Sequence, residues 1–167
     1  MVTYLVGYLA PVRAFDRFIR QPYELVPPDQ RHLTLVYLGH INDAGALAAP
    51  VLSYPRRDPL VEFLGLRPLP SYERPRCLAA LPSERDAGYL REVREALVGE
   101  LGLPDADRYS SFVPHVTVAR TRAKPSDALR LLAVRISRES SRARELVRLR
   151  GPFLMAAEGG YVRVVKP

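Results

Sequence analysis

Two of the three histidines in this chain stand in the same four-residue pattern. The segments are His32-Leu33-Thr34-Leu35 and His115-Val116-Thr117-Val118. In each segment polar and aliphatic side chains alternate, which is typical of a half-buried β-strand. Residues i and i+2 of a strand lie on one face, so each strand would bury its aliphatic pair and present an imidazole and a hydroxyl on the opposite side.

Two imidazoles and two hydroxyls around one site could break a phosphodiester bond without a metal ion. An imidazole with an ordinary pKa of about 6.5 can donate or accept a proton near neutral pH. Two imidazoles on opposite sides of a phosphorus atom suit in-line displacement, and hydroxyl groups can donate hydrogen bonds to the non-bridging oxygens where negative charge develops. The catalytic candidates are therefore His32, His115, Thr34 and Thr117. The alternative is a pair of structural histidines in amphipathic strands, and the repeated pattern favours the site.

The two segments, with their flanks, resemble a known pair of motifs. HLTLVYLG at 32–39 and FVPHVTVAR at 112–120 are similar to the two signature motifs of the two-histidine phosphoesterases. The most similar branch is the bacterial and archaeal RNA 2′,3′-cyclic phosphodiesterases, historically called 2′-5′ RNA ligases. The resemblance extends over nearly the whole chain in the order and character of its segments.

The resemblance implies a metal-independent hydrolase that opens 2′,3′-cyclic phosphate ends of RNA to a 2′-phosphomonoester, with reversible 2′-5′ ligation as a second activity. It implies that His32 donates a proton and His115 accepts one, although the roles could exchange with substrate orientation. The expected partner is RNA, including tRNA fragments. The alternatives are a phosphodiesterase acting on other 2′-5′ or cyclic nucleotides, a non-catalytic RNA-binding module, and a structural or interaction protein.

Three further residues are predicted to bind the substrate. Arg120 stands three residues after Thr117, where the family often has a basic residue, but strict alternation would place it on the opposite face unless the strand bends or ends. Phe112 and Tyr37 flank the two motifs and could stack on RNA bases. Weaker candidates are Tyr8 and Tyr72 for bases, and Arg122 and Lys124 for the RNA backbone.

The remaining polar residues near the motifs are interpreted as non-catalytic. His40 lacks a threonine partner and is expected at the surface, and Cys77 lies in an apolar run and is expected in the core. The chain has no His-x-x-x-His, no cysteine pair and no acidic cluster near the motifs, so no metal is expected. It also lacks a glycine-rich nucleotide loop, so no cofactor is expected.

The chain is strongly basic, with a net charge of +7, and 23 of its 25 basic residues are arginine. A basic balance suits a phosphate-rich partner, and arginine binds phosphate oxygens in a bidentate manner. Codon bias in a GC-rich genome would explain the same arginine content. The single cysteine, the lack of a signal-peptide pattern and the lack of a long apolar run predict a cytoplasmic protein, independent of membranes, and we expect a monomer.

The predicted fold class is α+β, a single domain over residues 1–167 with two similar sheet-and-helix lobes around a central cleft. The lobes would cover about 1–70 and about 71–167, related by a pseudo-two-fold duplication, with strands able to cross between them. Predicted strands are 3–10, 31–38, 60–67, 76–81, 113–120, 144–150, 152–156 and 160–165. Predicted helices begin at Pro11, at about 43, after Ser83 and near Ser126.

Overall fold

A computed structural model describes residues 1–104 and 111–167, and over these ranges the chain forms one antiparallel sheet with three α-helices. The strands are β1 (Thr3–Leu9), β2 (Glu24–Leu25), β3 (His32–Gly39), β4 (Leu60–Pro70), β5 (Pro75–Pro82), β6 (Val116–Arg120), β7 (Arg144–Arg148), β8 (Arg150–Glu158) and β9 (Tyr161–Val164). The helices are α1 (Gly45–Leu52), α2 (Glu84–Leu101) and α3 (Asp127–Ser140). None of the helices in these ranges has the length and apolar content needed to cross a membrane.

The two motif strands are neighbours in the middle of the sheet. The strand order is β7-β4-β5-β6-β3-β1-β8-β9, and the short strand β2 also pairs with β6. The strand pairs are antiparallel, which allows one face of the sheet to be covered by helices while the other meets solvent. The α+β class in a single domain is therefore confirmed, and the duplication into two similar lobes stays a prediction.

The aliphatic residues of the motif strands lie in the hydrophobic core, as their alternation indicates. Leu33, Val116 and Val118 have no exposed surface, and they belong to the same core cluster as Leu90 and Val93 of α2. Burying one such side chain stabilises the fold by about 1.5–3 kcal/mol. This burial fixes which face of each motif strand turns outward, and so which face carries the histidines.

The boundaries of α2 follow the predicted signals. The Ser83 side chain accepts a hydrogen bond from the backbone N–H of Asp86, which caps the first turn. Gly102 ends the helix in the left-handed conformation, with φ of 59°, where glycine lacks the steric penalty of other residues. Ser126 caps α3 in the same way through Leu129 N–H.

The helix predicted from Pro11 is wrong, and the chain there forms only a short 3₁₀ turn at Asp16–Phe18. Val12 and Phe15 are buried without α-helical hydrogen bonds, and side chains from elsewhere bond the backbone before the turn. The Glu145 carboxylate accepts hydrogen bonds from the backbone N–H groups of Arg13 and Ala14, and the buried Arg31 guanidinium donates to Val12 O. Tertiary contacts therefore override the helical periodicity of this segment.

Candidate active site

Each motif histidine lies opposite the threonine of the other motif. Leu33 of β3 pairs directly with Val116 of β6 in antiparallel register. One residue to either side, this register sets His32 across from Thr117 and Thr34 across from His115. Directly opposed side chains in an antiparallel pair have Cβ atoms about 4.5–5.5 Å apart. The two motifs therefore form one site, in which each imidazole lies beside a hydroxyl of the neighbouring strand.

The four polar side chains share the face of the sheet opposite the core. Leu33 and Val116 are fully buried, whereas the two histidines and the two threonines are half-buried. Half-burial removes part of the water around each group but leaves it accessible to a substrate. The structure thus brings together all four residues that the sequence nominates as catalytic.

Both imidazoles are oriented by the same backbone contact. Nδ1 of His32 lies 2.9 Å from the carbonyl oxygen of Gln30, and Nδ1 of His115 lies 2.8 Å from the carbonyl oxygen of Val113. A carbonyl oxygen only accepts, so Nδ1 carries the hydrogen in both rings. Nε2 of each neutral ring is then the free nitrogen that can exchange a proton with a substrate.

The surroundings of His32 favour its neutral form. Burial is the main cause of a lowered pKa of His32, and the positive charges of Arg120 and His115 lower this pKa further. The hydrogen bond to Gln30 O acts in the opposite direction but does not outweigh them.

A β-bulge brings Arg120 to the face of the sheet that carries the motif histidines and threonines. In the pairing of β5 with β6, Ala79 lies opposite Thr117 and Leu78 lies opposite Ala119, so Val118 is an extra residue on β6. An extra residue reverses the alternation beyond it. Arg120 therefore shares the face of Thr117, although simple alternation predicts the opposite face. This is the bend that the sequence required for Arg120 to reach a phosphate bound at the histidines.

An equivalent bulge in β3 places Tyr37 on the same face as Thr34. In the pairing of β1 with β3, Gly7 lies opposite Thr34 and Val6 lies opposite Val36, which leaves Leu35 as the extra residue. Tyr37 is 38% exposed, whereas its neighbours in sequence are buried. The predicted substrate residue Tyr37 is thus directed away from the core, on the face that carries Thr34.

A cavity of about 440 Å³ opens beside this face, and its wall includes Thr34 and His115. We call it the aromatic pocket, because Tyr37 and Phe112 line it with the apolar Leu69. A flat base needs such a wall of rings and aliphatic groups, since base–aromatic stacking does not depend on the identity of the base. The structure therefore places both predicted aromatic residues in one pocket with Thr34 and His115.

The aromatic pocket also contains Cys77, which sequence reasoning assigned to the core. Cys77 pairs with Arg120 across β5 and β6, lies on the catalytic face, and shares a hydrogen bond with Thr117. Burial raises the pKa of the Cys77 thiol and so favours its protonated form. A protonated thiol is a poor nucleophile, so Cys77 is not a candidate nucleophile. The alternation of Cys77 with Leu78 in β5 was the signal that could have placed it.

The other candidates lie elsewhere. Tyr8 is fully buried and its hydroxyl donates to Arg56 O, so it is a core residue. Tyr72 lies beside Ser137 of α3, outside the aromatic pocket. Lys124 is exposed beyond the end of β6, and the exposed His40 bonds Val2 O through Nδ1.

The site residues do not form a metal centre of the usual kind. Within residues 1–104 and 111–167, no three side chains of histidine, cysteine, aspartate or glutamate are grouped so that they could hold a metal ion. The face that carries the motif residues instead presents two imidazoles, two hydroxyls and the Arg120 guanidinium, beside the Cys77 thiol and the Tyr37 ring. Imidazoles, hydroxyls and a guanidinium are groups that can bind an anion and exchange protons.

The fold is shared with solved structures of low sequence identity. TT0787 of Thermus thermophilus is 19% identical, with a TM-score of 0.56 over 98% of this chain and 93% of that chain. A protein described as a phosphoesterase is 18% identical, with a TM-score of 0.53 and coverage of 98% and 94%. E. coli LigT, solved with NADP+, is 17% identical, with a TM-score of 0.54 and coverage of 98% and 93%. No protein-family model and no curated protein matches the sequence.

Proposed function

We propose that this chain is a metal-independent RNA 2′,3′-cyclic phosphodiesterase, which hydrolyses the cyclic phosphate to a 2′-phosphomonoester and also catalyses reversible 2′-5′ ligation. The observation that carries the proposal is the reciprocal His–Thr arrangement on β3 and β6, which follows from the pairing of Leu33 with Val116. The fold shared with a phosphoesterase and with LigT supports the same class of chemistry.

In the proposed reaction, water attacks the phosphorus of the cyclic phosphate. One imidazole accepts a proton from this water through Nε2, and the other donates a proton to the ribose 3′ oxygen as its bond to phosphorus breaks. The products are a free 3′-hydroxyl and a 2′-phosphomonoester. The Thr34 and Thr117 hydroxyls, together with the Arg120 guanidinium, are placed to stabilise the charge that develops on the non-bridging oxygens.

The donor role falls to His32 and the acceptor role to His115, as the resemblance of the motifs implies. A bound anionic phosphate offsets the positive charge of Arg120, which is one of the causes of the lowered pKa of His32. Protonated His32 then remains a stronger acid than an ordinary imidazolium, because burial still disfavours its charged form. Its proton therefore transfers readily to the leaving oxygen.

Hydrolysis should dominate over ligation in solution. Water vastly outnumbers any 5′-hydroxyl end, unless the RNA itself aligns the two ends and raises their effective concentration. In ligation a 5′-hydroxyl replaces water as the nucleophile of the in-line attack, and the same two proton transfers take place. The chain thus needs no nucleoside triphosphate to join ends that already carry a cyclic phosphate.

The proposal is tested by incubating the protein with a short RNA that ends in a 2′,3′-cyclic phosphate, in the presence of EDTA. Phosphorus NMR should show conversion to a 2′-phosphomonoester alone. A 3′-phosphomonoester product would contradict the proposed leaving oxygen, and a reaction stopped by EDTA would contradict metal independence. A parallel assay on 2′-5′ linked dinucleotides and 3′,5′-cyclic nucleotides distinguishes the alternative phosphodiesterase activities.

A further inference from the structure

A second cavity, of about 580 Å³, opens beside Arg120. It is walled by Gln30, Arg120, Arg122 and Tyr161, with the turn at Gly159–Gly160, and we call it the basic groove. Gln30 is the residue whose carbonyl oxygen orients His32, so the basic groove lies next to the catalytic pair. The aromatic pocket, by contrast, includes His115 in its wall.

The two cavities differ in chemistry. Arg120 and Arg122 carry two positive charges into the basic groove, and Glu24 contributes one negative charge. The aromatic pocket is walled largely by rings and aliphatic groups, among them Phe112 and Leu69, and Arg76 adds one positive charge to its wall. A guanidinium pair matches successive phosphates of a chain, whereas an apolar wall matches a base.

Tyr161 provides an aromatic surface within the basic groove. Its side chain is 69% exposed, which leaves the ring free to stack with a base. The hairpin that carries it is attached to the wall beside His32, because Val162 N–H donates to Gln30 Oε1 over 2.8 Å. Arg122 and Tyr161 therefore face one groove from two fixed elements, the segment after β6 and the start of β9.

We propose that the basic groove binds the nucleotides upstream of the cyclic phosphate, with Arg122 on a backbone phosphate and Tyr161 stacked on a base, while the terminal base occupies the aromatic pocket. This inference rests on the proposed phosphodiesterase function and adds the direction in which the RNA chain crosses the site. The terminal nucleoside needs an apolar site, and the remainder of the RNA chain brings the additional phosphates that the arginines match. The substrate is thus an RNA chain rather than a mononucleotide.

The test compares kcat/KM for a nucleoside 2′,3′-cyclic monophosphate with kcat/KM for a trinucleotide that ends in the same group. The wild type should favour the trinucleotide by at least about tenfold, since one stacked base and one phosphate contact each contribute on this order. Tyr161→Ala and Arg122→Ala should each reduce this ratio by about tenfold. Tyr161→Phe keeps the ring and should keep the ratio, as should Arg138→Ala, which removes an exposed arginine of α3 outside both cavities.

A ratio that is unaffected by both Tyr161→Ala and Arg122→Ala would overturn the groove proposal while the enzymatic function stands. A second measurement separates the two proposals, namely fluorescence anisotropy with a labelled trinucleotide that ends in a 3′-hydroxyl. If the wild type hydrolyses neither cyclic substrate, the proposed function fails, and weaker binding by the two alanine variants still supports the groove. Equal binding by wild type and both variants overturns it.

Discussion

Tyr37 and Arg120 occupy equivalent positions in the two motif strands. Each stands three residues after the motif threonine, and each reaches the catalytic face because one residue of its strand is bulged, Leu35 in β3 and Val118 in β6. The pattern His-x-Thr-x-x therefore leads to a ring on one strand and to a guanidinium on the other. The two strands thus share a bulge at the same position but present different side chains, a phenol ring and a guanidinium.

The bulge at Val118 places Arg120 on the face of the motif histidines, where we propose that it binds the phosphate. We expect Arg120→Ala to lower kcat/KM by about 10- to 150-fold, because a hydrogen bond to a charged group contributes about 1.5–3 kcal/mol. Arg120→Lys should recover only part of this loss, since lysine lacks the bidentate fork. Steady-state kinetics on the cyclic-phosphate trinucleotide provide the measurement. An Arg120→Ala variant with wild-type kcat/KM would show that the guanidinium does not contact the substrate.

The pH dependence of kcat/KM tests the assignment of His32 as the proton donor. A donor must be protonated in the free protein, and its protonated fraction falls as the pH rises through its pKa. Because burial and the charges of Arg120 and His115 lower the pKa of His32, the decline should begin below the ordinary value of about 6.5. Relieving one of these charges with Arg120→Gln should move the declining limb to higher pH.

Chemical rescue of His32→Ala provides an independent check of the same assignment. If His32 donates, imidazolium should restore activity, and the rescued rate should increase as the pH is lowered. If His32 instead accepts a proton, neutral imidazole would be the rescuing species, and the rescued rate would increase with pH. The slope of rescue against pH therefore decides between the two roles.

Gly7 of β1 sets the position of the first motif strand. A Cβ atom at Gly7 would overlap the carbonyl oxygen of Leu33 and would lie 3.2 Å from Cα of Thr34. These are backbone atoms of β3, so they can move only if the strand moves. We expect Gly7→Ala to destabilise the protein by about 1–3 kcal/mol and to lower turnover, measured by urea unfolding and kinetics.

A matched control for Gly7→Ala is available in α2. A Cβ atom at Gly99 meets nothing within 4 Å, and the residue lies inside the helix. Gly99→Ala should therefore stabilise the protein by about 0.5–1 kcal/mol. Equal stabilities of the two alanine variants would contradict the steric role assigned to Gly7.

The buried Arg31 ties the segment before the first motif to the core. Its guanidinium bonds the carbonyl oxygens of Val12 and Val26 and pairs with Asp16 at 2.7 Å, and its side chain is fully buried. We expect Asp16→Ala to destabilise the fold, because it leaves this buried charge without its carboxylate. The loss should approach but not exceed about 3 kcal/mol, since Asp16 is partly exposed and solvent screens the pair. Thermal unfolding of Asp16→Ala is compared with that of Glu139→Ala, a control variant that removes an exposed ion pair to Arg20.

Local sequence signals predicted those elements whose determinants are local. The cap at Ser83, the stop at Gly102 and the cap at Ser126 placed α2 and α3 close to their observed bounds. The alternation in the motifs predicted β3, and it predicted β6 although that strand begins three residues later than expected. These features depend on a few neighbouring residues, and sequence reasoning can recognise them.

The features that sequence reasoning missed depend on distant parts of the chain. The helix expected after Pro11 is replaced by a segment whose backbone is bonded by Glu145 and Arg31. The bulges at Leu35 and Val118 are fixed by pairing with β1 and β5, and their only local sign is the pair of adjacent apolar residues, Leu35-Val36 and Val118-Ala119, that interrupts each alternation. The bulges decide which face of the sheet Tyr37 and Arg120 occupy. The positions of these two predicted substrate residues therefore could not be derived from strand alternation alone.

The most direct test of the central claim is turnover of the cyclic-phosphate RNA by His32→Ala and His115→Ala, measured with EDTA present. Each variant should lose about 10²- to 10⁴-fold in kcat, because general acid–base catalysis contributes this much, while binding of the RNA in anisotropy assays is retained. His40→Ala, which removes the exposed histidine outside the site, should keep wild-type activity. If His32→Ala and His115→Ala turn over the RNA as fast as the wild type, the two-histidine mechanism is contradicted.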